Sequence, residues 1–190
     1  MQFLANVTRG GVFGGGVILI YGSFAYGLSA LELGSLRSLM AVIGIPMTFT
    51  AGFIMDRYGR KVTIVPGLAL SGLAMLYLAF TWYGDLSVGY FIGGFVGIHM
   101  AVNIISGNMQ TLGTDVAPPS ARGRFFGFSR LIAQTGSFAS PGTFWISTTF
   151  LPLAASYAVA FSFFAATALS ASLIVAVFIK ETLHRPQRGD

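Results

Sequence analysis

The sequence contains no cysteine and few charged residues, and these two shortages narrow the class of protein it can encode. Without cysteine, the chain can form neither a disulfide nor a thiolate metal site. Its two histidines, His99 and His184, are too few for a histidine-rich metal cage, and we expect no metal and no cofactor. Charged residues make up 9% of the chain and hydrophobic residues 54%, whereas a soluble domain carries about a quarter charged residues. The composition therefore excludes a water-soluble fold and predicts an integral membrane protein.

Long apolar runs dominate what is present. A hydrocarbon core of about 30 Å is crossed by a helix of roughly 20 apolar residues. Six runs meet this length, over about residues 10–28, 34–55, 62–83, 86–112, 125–149 and 155–179. The alternation over about ten residues that is typical of transmembrane barrel strands is absent from the sequence. We therefore predict an all-α membrane protein with six transmembrane helices.

Positive charge is distributed unevenly between the two ends of these runs. Arg37 lies at one end of the second run. The other cations lie at or near the opposite ends: Arg9, Arg57, Arg60, Lys61, Arg122, Arg124, Arg130, Lys180, Arg185 and Arg188. The positive-inside rule then puts both termini in the cytoplasm, and we predict a multi-pass protein of the plasma (inner) membrane. The net charge of +5 reflects this topology, and we expect no nucleic-acid partner.

The turn between the second and third runs concentrates polar groups at fixed spacing. Residues 52–61 read Gly-Phe-Ile-Met-Asp-Arg-Tyr-Gly-Arg-Lys. Gly59 can take positive φ at no steric cost and so permits the chain to reverse. Asp56 ends a helix, where the partial negative charge of the C-terminus disfavours a carboxylate. We therefore expect Asp56 to have a partner, either a neighbouring cation or the N-terminal end of another helix.

This turn resembles, residue for residue, the G-x-x-x-D-R-x-G-R-K loop of the major facilitator superfamily, which joins the second and third helices of each six-helix half. The matching residues are Gly52, Asp56, Arg57, Gly59, Arg60 and Lys61. The resemblance implies a secondary transporter that works by alternating access. It also implies that Asp56 locks its loop against the opposite half of the transporter and is released when the transporter changes face.

Two further segments resemble the same family. Asp115, Arg122 and Gly123 resemble a D-x-x-P-x-x-x-R-G loop that precedes the fifth or eleventh helix. Gly127, Gly136 and Pro141 follow the spacing of the antiporter motif in the fifth helix. Ser140 stands where that motif has a glycine, and the closing glycine pair of the motif is absent from the sequence. These departures leave the helix assignment intact but put antiport in doubt.

The order of the runs suggests an internal duplication. A glycine-rich run, a run with one proline and a plain run follow one another twice, which predicts two inverted repeats over about residues 8–84 and 85–181. Full members of the family have twelve helices, so the chain corresponds to one six-helix half. The fourth run has no arginine, and Lys180-Glu181-Thr-Leu-His184, which follows the sixth run, resembles the exit from a twelfth helix. Both features favour the carboxy-terminal half. The second half is expected from the same full-length chain or from a second copy.

Polar residues inside the runs are the candidates for binding solute or proton. His99, Asn103, Ser106 and Gln110 share one face of the fourth run, and Gly89, Gly93 and Gly97 share the opposite face. His99 could bind solute or take up a proton, or it could make only an interhelical hydrogen bond of about 1 kcal/mol. Asn103, Ser106 and, in the fifth run, Gln134 are the further cavity candidates. Arg130 is expected to extend to lipid phosphates.

We predict that the protein is not an enzyme but a transporter of a small organic solute or drug-like compound, coupled to protons, with the lipid bilayer and a second half as partners. One alternative is a membrane fragment that does not transport, or a structural partner of a separate half. Another is an intramembrane serine protease, because Gly127-Phe-Ser129 matches a G-x-S pattern. The sixth run offers no histidine as a base, which disfavours the protease.

Overall fold

The computed structural model describes residues 2–9, 16–81, 87–116 and 119–179 of the chain. Within these ranges the chain is helical and contains no strand, which confirms the all-α prediction. The helices are α1 (Gln2–Arg9), α2 (Val17–Tyr26), α3 (Ala30–Tyr58), α4 (Arg60–Thr81), α5 (Val88–Val116), α6 (Arg122–Phe150) and α7 (Leu153–Phe178), with a short 3₁₀ helix at Pro119–Ala121.

Four of the described helices are long and apolar enough to cross a membrane. They are α3, α4, the Val88–Ile105 part of α5, and α7. At about 1.5 Å per residue, 18 residues or more reach roughly the thickness of the hydrocarbon core. α6 is also long enough, with 29 residues, but it is less apolar than these four segments and is not among the candidate spans of the described residues. The structure therefore supports an integral membrane protein, while the count of six spans stays a prediction.

The first run differs most from its predicted bounds of 10–28. The structure forms α1 before it, where no helix was predicted, and α2 begins only at Val17. Gly16 has φ 62° and ψ 9°, a left-handed conformation that a right-handed helix cannot contain. α2 has 10 residues, which at about 1.5 Å each is too short to span the membrane by itself. Gly16 therefore lies just before the first residue of α2, although the prediction placed it inside the first run. Residues 10–15 lie outside the described ranges.

Prolines occur inside three helices, at Pro46 in α3, Pro66 in α4 and Pro141 in α6. The prediction of a plain third run is wrong, because Pro66 lies within it. A proline removes one backbone donor and frees a carbonyl, which neighbouring helices or hydroxyl side chains can satisfy in a membrane. The glycine–proline–plain order on which the inverted repeats were based is therefore incomplete.

α4 lies between α5 and α7 and packs most closely against them, while α3 packs on α5 and α1 packs on α6 and α7. Small residues permit these contacts. A Cβ built at Gly72 of α4 would lie 2.7 Å from Leu169 Cγ and 3.2 Å from the Ala165 carbonyl oxygen in α7. The absence of a side chain at Gly72 therefore sets the distance between α4 and α7.

An aromatic cluster around Tyr21 of α2 contacts the last residue of α4 and the N-terminal parts of α5 and α7. The Tyr21 ring lies 5.1 Å from Tyr157 and 5.2 Å from Phe161, measured between centroids, and 6.1 Å from Phe91. The Tyr21 hydroxyl shares a hydrogen bond of 2.9 Å with Thr81 Oγ1. A buried tyrosine needs such a partner for its hydroxyl. This cluster positions α2 against the helices that carry the candidate site.

Candidate functional site

The α3–α4 turn (residues 52–61) reverses the chain at a single residue. α3 ends at Tyr58 and α4 begins at Arg60, so that Gly59 alone is not helical. Gly59 has φ 109° and ψ 164°, a region that is essentially restricted to glycine. Its N–H donates to the carbonyl oxygen of Met55 at 2.9 Å. The predicted positive φ at Gly59 is confirmed, and the residue fixes the angle at which the two helices meet.

One face of the α3–α4 turn is open. Gly52 and Asp56 are four residues apart on α3 and therefore share a face. Asp56 is exposed, and a Cβ built at Gly52 meets no atom of the described residues within 4 Å. Within the part of the chain that the structure describes, no hydrogen bond or ion pair reaches the Asp56 carboxylate. The partner expected for Asp56 is thus not among the described residues of this half.

The cations of the turn differ in their surroundings. Arg57 is exposed, with its guanidinium carbon 5.5 Å from the centroid of the Tyr58 ring. Arg60 is partly buried. Lys61 Nζ donates to the carbonyl oxygen of Ala176 in the last turn of α7 at 2.6 Å. The sequence pattern groups these three cations together, whereas the structure directs Lys61 to another helix of the same half.

The polar face predicted for α5 lies inside the bundle in its described part. His99 is 4% exposed, and its ring centroid lies 4.1 Å from that of Phe95. His99 Nδ1 lies 2.9 Å from the Phe95 carbonyl oxygen. Because a carbonyl only accepts, Nδ1 carries the proton, and Nε2 is the acceptor nitrogen of the neutral ring. The ring is therefore oriented by its own helix.

Asn103 lies at the contact between α5 and α3. Its amide occupies the space beside Gly44, where an added Cβ would come 2.7 Å from Asn103 Nδ2. Asn103 is partly buried. Gly44 did not enter the sequence prediction, although a small residue in the middle of an apolar run is a signal of close helix contact. The side chains of Ser106 and Gln110 lie outside the described part of the structure.

The close contact of α5 with α4 involves Gly94, which does not belong to the set Gly89, Gly93 and Gly97. A Cβ at Gly97 would lie 3.5 Å from Ala74 Cβ, and one at Gly94 would overlap the Leu78 side chain. Among the described residues, a Cβ built at Gly93 meets no atom within 4 Å, and one at Gly89 meets only Ser87 Oγ, at 3.7 Å. Gly94 and Gly97 therefore define the contact face with α4, whereas Gly89 and Gly93, which share a face with Gly97 in the sequence pattern, do not reach α4 in the described residues.

The candidate residues of α6 separate into an exposed set and a buried set. The exposed set consists of Gly123, Gly127, Arg130, Gln134 and Pro141. Gly136 is buried and abuts the α1 backbone at the carbonyl oxygen of Phe3. Gln134 thus faces outward while His99 is enclosed, and the structure does not bring these two candidates to one enclosed pocket. The side chains of Asp115 and Arg122, which lie near the end of α5 and at the start of α6, are outside the described part.

Comparison with known families supplies an independent finding. The family model described as Major Facilitator Superfamily matches residues 3–189, which is nearly the whole chain. No individual curated protein gives a significant match. The family match includes the α3–α4 turn, the polar residues of α5 and the glycines of α6.

Proposed function

This chain belongs to the Major Facilitator Superfamily, a family of membrane transporters, and on that premise we propose that it forms one half of a transporter that works by alternating access. The proposed cargo is a small organic solute or drug-like compound, and its movement is coupled to protons. The second half is supplied by the same full-length chain or by a second copy. Two such halves are related by an axis along the membrane normal, so that their solute cavity lies between them.

The open face of the α3–α4 turn carries this proposal. Gly59 holds the end of α3 at a fixed angle through a glycine-restricted conformation. Asp56 is nevertheless exposed, at a helix end whose partial charge disfavours it, and no described residue occupies the space beside Gly52. A carboxylate in this position gains stability from the positive N-terminal end of a helix in the second half. A contact of this kind, formed in one state and broken in the other, is what a conformational lock requires.

His99 and Asn103 are the proposed polar contacts for solute or proton. Both lie on α5, and Asn103 touches α3, the helix that ends in the α3–α4 turn. A change in the angle of α3 would therefore alter the surroundings of Asn103 directly. The Nδ1–H of His99 is held by Phe95, which leaves Nε2 as the nitrogen that takes up a proton. The contact of Asn103 with α3 supports a link between the turn and the proposed polar contacts on α5.

Membrane vesicles that contain the natural gene product test the proposal. They are loaded with the pH indicator pyranine and given a panel of fluorescent organic cations, ethidium among them, under an imposed pH gradient. We expect uptake of a probe together with a pH change inside, and loss of both in Asp56→Asn at equal amounts of folded protein. Absence of uptake for every probe would contradict the proposed solute class. Uptake that does not depend on the pH gradient would contradict proton coupling, and unimpaired uptake by Asp56→Asn would contradict the lock.

A further inference from the structure

Two hydrogen bonds join the first turns of α4 to the last turns of α7, and each helix donates one of them. Lys61 Nζ of α4 donates to the Ala176 carbonyl oxygen at 2.6 Å. One turn along, Ser172 Oγ of α7 donates to the Val65 carbonyl oxygen at 2.9 Å. The pairs 61–176 and 65–172 place the helices antiparallel in one register. Gly72, which lies against Ala165, continues the same register toward the middle of the helices.

The two bonds differ in what they join. Ser172 and Val65 lie within their helices, so this bond serves the contact between α4 and α7. Ala176, by contrast, lies in the last turn of α7, which ends at Phe178. The final carbonyls of a helix lack intrahelical partners and carry partial negative charge. The neighbouring carbonyl of Val175 accepts from the N–H of Ile179 at 3.3 Å, while Ala176 accepts from the ammonium group of Lys61.

Lys61 is also close to the open face of the α3–α4 turn. Only Gly59 separates α3 from α4, so the direction of the first turn of α4 determines where the end of α3 projects. We propose that Lys61 is a positioning residue, which holds the α3–α4 turn to the C-terminus of α7 so that Asp56 is presented to the second half. This role rests on the proposed function. It assigns different tasks to two residues of the turn: Lys61 binds within its own half, and Asp56 acts between halves.

The absence of cysteine makes the chain suitable for a distance measurement. Spin labels are attached in Tyr58→Cys and Phe178→Cys, at residues that are 57% and 78% exposed and that end α3 and α7. Double electron–electron resonance on the full chain in lipid bilayers then reports the distribution of distances between the turn and α7. The labelled chain is compared with three variants in the same background, Lys61→Met, Lys61→Arg and Ser172→Ala.

We expect Lys61→Met to broaden and shift the distance distribution, because a side chain of similar length no longer donates to Ala176. Lys61→Arg keeps a charged donor and is expected to restore the narrow distribution. Ser172→Ala removes a bond between the same two helices one turn away, so it should lower the midpoint of thermal unfolding and leave the distribution unchanged. Lys61→Gln, with a neutral donor, replaces Lys61→Met if the methionine variant does not fold.

Two results would overturn the positioning role. One is an unchanged distribution in folded Lys61→Met, or in the glutamine variant that replaces it. The other is equal broadening in Ser172→Ala, which would assign the effect to the general contact of α4 with α7. Because the distance readout does not depend on transport, its outcome is separate from that of the vesicle experiment. A broadened distribution in a chain that moves no solute would leave the positioning intact and remove the proposed function.

Discussion

The backbone of α6 at Gly136 runs directly against the carbonyl oxygen of Phe3 in α1. A Cβ built at Gly136 would overlap that oxygen and lie 3.2 Å from the backbone nitrogen of Val7. Backbone atoms cannot rotate away as the end of a side chain can. The sequence pattern indicated that Gly136 belongs to a motif in the fifth helix. The structure explains why this position is a glycine, because α1 approaches too closely to leave room for a side chain.

We therefore expect Gly136→Ala to lower the free energy of unfolding by about 1–3 kcal/mol, the usual cost of forcing extra volume into a packed contact. Gly127→Ala is the matched control, since it lies on the same helix and its Cβ meets no atom within 4 Å in the described chain. It should be neutral, or stabilising by up to about 1 kcal/mol through helix propensity. Thermal unfolding in detergent measures both variants. Equal midpoints would show that the contact between α1 and α6 is not close.

The conformation of Gly59 gives a second prediction. Its φ of 109° lies where side chains are strongly disfavoured, and forcing another residue into such a region costs on the order of 1–3 kcal/mol. Gly59→Ala should therefore lower thermal stability or change the angle between α3 and α4. Gly34→Ala serves as the control, because Gly34 lies inside α3 and no atom of the described chain lies within 4 Å of the added Cβ. If Gly59→Ala matched this control in stability, the turn would not depend on positive φ.

A substitution at Gly52 distinguishes packing within this half from packing against a second half. Since an added Cβ at Gly52 meets no described atom within 4 Å, Gly52→Ala should not lower the stability of the isolated chain. If a helix of the second half lies close to this face, the same methyl group should reduce transport several-fold, on the scale of about 1 kcal/mol for an overpacked contact. Thermal unfolding and vesicle uptake are measured on the same preparation. Unchanged uptake would mean that no helix approaches Gly52.

The α3–α4 turn could be predicted from the sequence because its cause is local. A single Gly59 between two apolar runs permits the reversal whatever surrounds it. The start of α2 was harder to predict, since glycine permits close contact inside a membrane helix, whereas Gly16 takes a left-handed conformation just before α2 begins. Helical periodicity placed His99 and Asn103 on one face. The place of Asn103 in the bundle depends on Gly44 of α3, which is distant in sequence and could not be read from α5.

The same limit applied to the contact between α4 and α5. Gly93 and Gly94 are adjacent but point about 100° apart on a helix. Only Gly94 faces Leu78, and choosing between the two requires the position of α4. Likewise, the turn motif groups Lys61 with Arg57, but the carbonyl of Ala176 that binds Lys61 lies more than a hundred residues away. The conformation of the turn could be predicted from the sequence, whereas the side of a helix that contacts a neighbouring helix could not.

His99 provides the last prediction, because two variants separate a proton site from a packing role. His99→Asn keeps a donor near the position of Nδ1, which can still reach the Phe95 carbonyl oxygen, but it cannot take up a proton. His99→Ala removes both properties and leaves a cavity beside Phe95. If His99 carries the proton, both variants should lose the pH dependence of uptake between about pH 5 and 8, and only His99→Ala should lose stability, by roughly 1–3 kcal/mol. Uptake by the asparagine variant with an unaltered pH profile would leave His99 a packing residue, held by Phe95 and without a part in proton coupling.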